Sequence, residues 1–314
     1  MSDNTALGPG REFDVIRDLV RRWGTAAHGI GDDAAVLDLP AGTRLVASTD
    51  ASVEDVHFRR GWLTPAEIGY RAATAALSDL AAMAATPMAM LVAMTVPTGW
   101  QGDVGEIGDG LGEAARAFDA PITGGNLTGG RELAITVTVL GSAAHALRRV
   151  GARPGDSLYV TGALGGPRAA LDAWERGEAP REEHRARFAR PSARIREAAW
   201  LSEHGAHASI DVSDGLLADS RHLAMASGVA VDLELEAVPR VSGVERRDAL
   251  RSGEEYELLV AAPVLDEHAF ARTFALPLTR VGSVIVAEGG GPEVRVRSGG
   301  KFVDLPAGHD HFSS

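Results

Sequence analysis

The sequence predicts a mixed α and β protein of two domains. Three observations carry this: the length, strand-like and helix-like apolar patterns that alternate along the chain, and a turn-rich break near its middle. At about 100–200 residues per domain, 314 residues favour two. Hydrophobic residues make up 45% and charged residues 24%, so the chain can build a core. The break is Ala152-Arg153-Pro154-Gly155-Asp156, and the boundary is placed just before it, giving domains 1–145 and 146–314.

In the first half, Phe13, Ile16, Leu19, Val20 and Trp23 recur at helical spacing. Glycines break the pattern around Gly29-Ile30-Gly31-Asp32-Asp33, and Arg44 to Asp50 reads as a strand that ends in polar residues. Thr64-Pro65-Ala66-Glu67 is a capping box with proline at the first helical position, so a helix runs from there to about Ala84. Met88 to Val96 is an apolar strand, Gly102 to Phe118 a helix weakened by glycines, and Glu132 to Gly141 a further strand. Together these make a β-α-β-style half.

The second half reads as α/β. Strands are expected at Ser157 to Thr161, Ala208 to Val212, Val229 to Leu235, Tyr256 to Ala262, Leu278 to Val286 and Val294 to Arg297. Helices are expected from about Arg168, over Ser192 to Leu201, and from Gly215 to Ser227. The charged segment Arg176 to Arg190 reads as exposed.

Composition removes several chemistries. There is no cysteine, which excludes disulfides, thiolate metal sites and cysteine nucleophiles. The only lysine is Lys301, so neither a Walker A loop nor the phosphate-binding lysine of a protein kinase can be written. A net charge of −12 argues against nucleic acid and against a polybasic membrane anchor. Met1 to Gly10 has neither a basic start nor an apolar run, so a cytoplasmic protein is expected.

What remains is a set of carboxylates in expensive places. Asp79 is the one charge between Ala72 and Gly102, in a helix of Ala, Leu and Met. A buried carboxylate needs a cation or several donors, so Asp79 is either a metal ligand or a structurally satisfied acid. Asp32-Asp33 sits in a glycine-bounded loop that suits a divalent cation or a solvated turn. Ser48-Thr49-Asp50 closes a strand, where α/β proteins carry ligand groups or helix caps.

His57 is followed by Phe58, Arg59 and Arg60, a grouping suited to a substrate phosphate. Asp211, Ser213 and Asp214 lie at a strand-to-helix junction, where Asp214 can cap the helix. Gly124-Gly125-Asn126 offers backbone amides to a phosphate or forms a turn. Gly253-Glu254-Glu255-Tyr256-Glu257 is an acidic run before apolar Leu258, dull if it is merely exposed. Oxygen donors without cysteine or histidine-rich spacing select Mg²⁺, and magnesium with arginines suits a polyphosphate such as ATP.

The order of these motifs resembles the thiamine-monophosphate kinases, in the superfamily of aminoimidazole ribonucleotide synthetase, selenophosphate synthetase and the hydrogenase-maturation dehydratase. The resemblance spans nearly the whole chain. It rests on Gly29 to Leu37, Ser48-Thr49-Asp50 with His57-Phe58, Leu77 to Met83, Val160-Thr161-Gly162, Arg190-Pro191, Ile210 to Leu216, Gly253 to Leu258 and His311-Phe312.

The resemblance implies an aminoimidazole ribonucleotide synthetase-like architecture, with an N-terminal α+β domain that pairs in a homodimer and a C-terminal α/β domain. It implies metal binding by Asp33, Ser48, Thr49, Asp50, Asp79, Asp211 and Asp214, with Asn126 where the family carries aspartate. It further implies ATP contacts from Gly125, Asn126, Arg149 and Ser213, and thiamine monophosphate contacts from His57 and Glu254. The implied reaction is in-line transfer of the ATP γ-phosphoryl to the substrate phosphate. A synthetase or dehydratase of the same superfamily, or a non-catalytic nucleotide-binding relative, is the alternative. Departures from the family pattern are Asn126, Glu255 for aspartate, and a C-terminus that lacks a tryptophan and has His309 at an aromatic position.

Overall fold

Strand and helix segments collect into two compact units, Met1–Leu80 with Ala85–His145, and Ala81–Ala84 with Ala146–Ser314. The computed structural model describes residues 4, 10–31, 33–287 and 291–303. Asp32, His309 and His311-Phe312 therefore lie outside the described residues.

The first unit opens with α1 (Arg11–Trp23), whose Leu19 and Trp23 are buried while its charged residues face out. Acids in its first turn and arginines in its last complement the helix dipole. Then come β1 (Arg44–Val53), α2 (Pro65–Ala82), β2 (Thr86–Val96), α3 (Val104–Ala117), β3 (Ile122–Gly129) and β4 (Ala134–Ala143). The strands form one sheet in the order β1-β4-β2-β3. β4 is antiparallel to both neighbours, and β2 and β3 are parallel.

The capping box at α2 forms as its residues require. Thr64 N–H donates to Glu67 Oε2 at 2.8 Å, and Glu67 N–H donates to Thr64 Oγ1 at 3.2 Å. The glycines that weaken α3 in isolation let it approach α2. A Cβ on Gly110 would lie 1.8 Å from the Ala66 carbonyl oxygen, and one on Gly69 would lie 2.0 Å from that of Ile107. Of the two readings of the Gly-Gly pair, the turn is not what forms: it lies within β3, against β2, where a Cβ on Gly125 would fall 1.8 Å from the Val92 oxygen.

The second unit contains β5 (Ser157–Thr161), α4 (Gly166–Glu175), α5 (Glu182–Ala189), α6 (Ile195–Glu203), β6 (Ala208–Asp211), α7 (Leu216–Ser227) and β7 (Ala230–Glu234). It continues with α8 (Arg246–Arg251), β8 (Leu258–Ala262), α9 (Glu267–Phe274), β9 (Leu278–Ile285), β10 (Glu293–Ser298) and β11 (Lys301–Val303). One sheet runs β11-β10-β7-β9-β5-β8-β6, antiparallel except between β7 and β10.

Both faces of that sheet are covered. Val160, Ile210, Leu223 and Val231 belong to one cluster, and Tyr159, Val260, Leu201 and Phe270 to the other. This explains why β8 reads as an unbroken apolar run. The segment Arg176 to Arg190 is not simply exposed: α5 buries His184, Phe188 and Ala189, and Phe188 meets Trp174 edge to face at 5.3 Å. Among the described residues no helix is long and apolar enough to cross a membrane.

Candidate active site

In the first unit, the site is built on β1 and the helix that follows it. Side chains alternate along a strand, so Ser48 and Asp50 share one face and Thr49 takes the other. Ser48 Oγ donates to Asp79 Oδ2 at 2.5 Å, which brings together two of the expected ligands from β1 and α2. Asp79 is half-buried near the end of its apolar helix. Thr49 Oγ1 lies 3.0 Å from Thr138 Oγ1 of β4. Asp50 is exposed, and Asp33 is exposed in the loop before β1. Across the sheet, Asp50, Val137, Val92 and Gly125 form one register row, with exposed Asn126 in the next.

His57 sits in the loop after β1. Val53 N–H donates to its Nδ1 at 3.1 Å, which makes Nδ1 an acceptor and puts the ring hydrogen of the neutral form on Nε2. The loop is anchored by Phe58 and Arg60, which the sequence singled out, and by Glu54 and Trp100, which it did not. Phe58 is buried and meets Trp100 edge to face at 6.4 Å. Trp100 Nε1 donates to Glu54 at 2.8 Å, and the Arg60 guanidinium lies 3.6 Å from the Trp100 ring centroid.

The second unit gathers its candidates around the turn between β6 and α7. Asp211 is buried, while Ser213 and Asp214 are half-buried. Asp214 does not cap α7: the N-cap is Gly215, with no side-chain cap. Instead Asp219, from inside the helix, accepts from the backbone N–H groups of Ser213, Asp214 and Gly215 at 3.0–3.1 Å. Asp219 was invisible as a candidate because an acid in a first helical turn is ordinary.

Burial, then the nearby Asp211 and Asp214 carboxylates, push the Asp219 carboxyl up to about 8. The ligand atoms of Asp214, Asp219 and His222 all lie within 4.8 Å of one another. Glu254 joins this group by donating its N–H to the Ser213 carbonyl at 2.7 Å. Arg149 is exposed, and its carbonyl accepts from Ser227 Oγ at 2.9 Å at the end of α7.

The acidic run at Glu254 to Glu257 is largely buried rather than a solvated face. Glu257 accepts from Arg194 through two bonds of 2.8 and 2.6 Å, and from Thr161 Oγ1 at 2.6 Å. Glu255 accepts from the Gly165 N–H, and burial pushes its carboxyl up to about 8. Glu254 and Tyr256 both adopt positive φ, 58° and 54°, a strained pair of non-glycine residues beside the Ser213 turn. Hydroxyl and carboxylate oxygens dominate both clusters, the donor chemistry that suits Mg²⁺.

Comparison with known proteins agrees with this architecture. Residues 31–143 match AIR synthase related protein, N-terminal domain, and residues 153–295 match AIR synthase related protein, C-terminal domain. The two-domain α+β fold and the two matched domains thus define an AIR synthase related protein. The thiamine-monophosphate kinase of Rhodopirellula baltica is 35% identical over 292 residues, covering 86% of this chain and 87% of that one.

The crystal structure of the Stenotrophomonas maltophilia K279a thiamine-monophosphate kinase matches with a TM-score of 0.80 and 33% identity. It covers 95% of this chain and 98% of that one. AaThiL complexed with AMPPCP and TMP matches with a TM-score of 0.75 and 30% identity, over 96% and 97% of the two chains. The chain belongs to the thiamine-monophosphate kinase family, whose members are enzymes.

Proposed function

We propose that this protein transfers the γ-phosphoryl group of ATP directly, in line, to the phosphate of thiamine monophosphate, giving thiamine diphosphate and ADP. The observation that carries this reading is the concentration of acids at one turn: Asp214, Asp219 and His222 offer ligand atoms within 4.8 Å of one another, and burial, then the Asp211 and Asp214 carboxylates, raise the Asp219 carboxyl. Bound magnesium ions would neutralise the triphosphate and the charge that develops during transfer. Support for the two substrates comes from the AaThiL complex with AMPPCP and TMP.

The chain's own residues supply binding and orientation. Asp33, Ser48, Thr49, Asp50, Asp79, Asn126, Asp211 and Asp214 hold magnesium in this reading, and Gly125, Asn126, Arg149 and Ser213 contact ATP. Gly125 is exposed on β3 in the register row of Asp50, where its backbone would face the nucleotide in this reading. His57 and Glu254 face thiamine monophosphate. The tautomer fixed by Val53 gives His57 an Nε2–H, a donor suited to phosphate oxygen. The acceptor is itself a phosphate oxygen, ionised at neutral pH, so no side chain is needed to remove a proton.

The protein is further proposed to act in the cytoplasm as a homodimer. The edge position of β1 and the exposure of Leu45 and Val56 support pairing with a second copy. Sedimentation velocity checks the dimer, and a monomer at micromolar concentration would refute it. For the reaction, ADP release is measured with and without thiamine monophosphate. Release only in its presence supports the kinase. Equal release in its absence overturns it.

A further inference from the structure

The turn between β6 and α7 has no side-chain cap at its N-cap residue, Gly215. Its amides are satisfied from inside the helix. A single oxygen, Asp219 Oδ2, accepts from Ser213 N–H at 3.1 Å, Asp214 N–H at 3.1 Å and Gly215 N–H at 3.0 Å. Three successive amides turned toward one point make a nest of the kind that binds anions, and here a carboxyl oxygen of the chain itself fills it.

The opposite side of the turn is held as firmly. Ser213 O accepts from Glu254 N–H at 2.7 Å, and Val212 O accepts from Glu255 and Tyr256 N–H at 3.1 and 2.9 Å. A Cβ on Gly253 would lie 2.6 Å from Ser213 O, and one on Gly215, at φ +110°, would lie 2.9 Å from the Arg251 carbonyl. The backbone of Ser213 and Asp214 is therefore clamped between Asp219 and the Gly253–Tyr256 segment. A capping residue at position 215 would need a side chain where the Arg251 backbone stands, so an acid one turn into the helix does the work instead.

We propose that Asp219 is a positioning residue: it fixes the turn that aims Asp211, Ser213 and Asp214 at a magnesium-bound nucleotide. This rests on the kinase reading of the same site. Asp219 acts as a hydrogen-bond acceptor, not as a ligand, although it lies close to Asp214 and His222.

The test is Mg²⁺-dependent binding of a fluorescent ATP analogue, which needs no turnover. Asp219→Asn keeps an acceptor oxygen but cannot ionise, and is expected to bind within about threefold of the wild-type protein. Asp219→Ala leaves three amides unsatisfied and is expected to weaken binding by about tenfold or more. Backbone hydrogen exchange over residues 213–215 is expected to speed up in Asp219→Ala and to stay slow in Asp219→Asn.

Wild-type affinity in folded Asp219→Ala would overturn the proposal. So would a tenfold loss in Asp219→Asn, since the charge, and hence direct ligation, would then be the requirement. Should Asp219→Ala not fold, Asp219→Glu replaces it, because it keeps the charge but displaces the oxygen. Weakened binding supports positioning, and unchanged binding overturns it. If the wild-type protein binds the nucleotide but does not phosphorylate thiamine monophosphate, the kinase reading fails while this comparison remains decisive.

Discussion

Ser48 donates its hydroxyl to Asp79 across 2.5 Å, joining a strand residue to a helix residue 31 positions later. That contact gives Asp79 one donor in the low-charge window between Ala72 and Gly102, and it places side by side the hydroxyl and carboxylate oxygens proposed above to hold magnesium. Replacing Asp79 by asparagine keeps the shape and removes the charge. Asp79→Asn is expected to lower kcat by about 100-fold or more at saturating ATP, with a higher magnesium requirement. Ser48→Ala is expected to be milder. Magnesium titrations of steady-state rate check both, and wild-type magnesium dependence in Asp79→Asn would remove this residue from the metal site.

Trp100 is expected to act on substrate affinity through the His57 loop. Trp100→Phe loses the 2.8 Å bond to Glu54 and weakens the stacking of Arg60. The expected outcome is a KM for thiamine monophosphate raised about three- to tenfold, in line with one lost hydrogen bond, and an unchanged KM for ATP. An equal rise in both constants would show that the loop does not act on one substrate alone.

The ion pair of Arg194 with Glu257 is structural. The Glu257 side chain is 1% exposed and that of Arg194 is 16% exposed. Breaking such a pair from one side leaves a buried charge, and Arg194→Ala is expected to lose about 3–5 kcal/mol in urea unfolding. The packing around it is tight: a Cβ on Gly162 would lie 2.1 Å from Glu257 Oε1. A loss below about 1 kcal/mol would mean that the guanidinium is replaceable by water.

Glu255 gives the stability a pH dependence of definite sign. Burial raises its carboxyl from 4.5 to about 8, so the folded protein holds a proton that the unfolded chain releases. Its contribution is full below pH 4.5 and is lost as pH rises to about 8, with a slope of at most about 1.4 kcal/mol per pH unit. Glu255→Gln is expected to flatten the fall in urea midpoint between pH 5 and 8. An identical slope in the variant would rule Glu255 out as its source.

Much of this architecture is legible in the sequence, and the misses have physical causes. The capping box at Thr64 and the apolar runs at β2 and β8 speak locally, through side chains that bond or pack within a few residues. α5 was missed because His184 and Phe188 are its main buried side chains among many charges. The Gly-Gly segment looked like a turn because glycine signals freedom. Its actual role is to let β3 lie against Val92, which only the tertiary structure reveals.

The site divides in the same way. Asp79 and Asp211 stood out because carboxylates among apolar neighbours are costly. Asp219 and Glu255 did not, since their meaning depends on backbone amides, three from the turn at 213–215 and one from Gly165. Asp219 reaches back only four to six residues, but a carboxyl bonding the amides of the turn before its own helix has no sequence signature, and Glu255 meets Gly165 from 90 residues away. Glu257 was read as part of a charge run because its partner, Arg194, lies 63 residues away.

Phosphorus NMR of the purified protein with ATP, thiamine monophosphate and Mg²⁺ bears most directly on whether these carboxylates serve phosphoryl transfer. The expected spectrum gains the two signals of thiamine diphosphate in step with ADP, and neither appears in EDTA or with Asp50→Asn. Thiamine diphosphate formed in EDTA, or ADP accumulating while thiamine monophosphate stays intact, would contradict it.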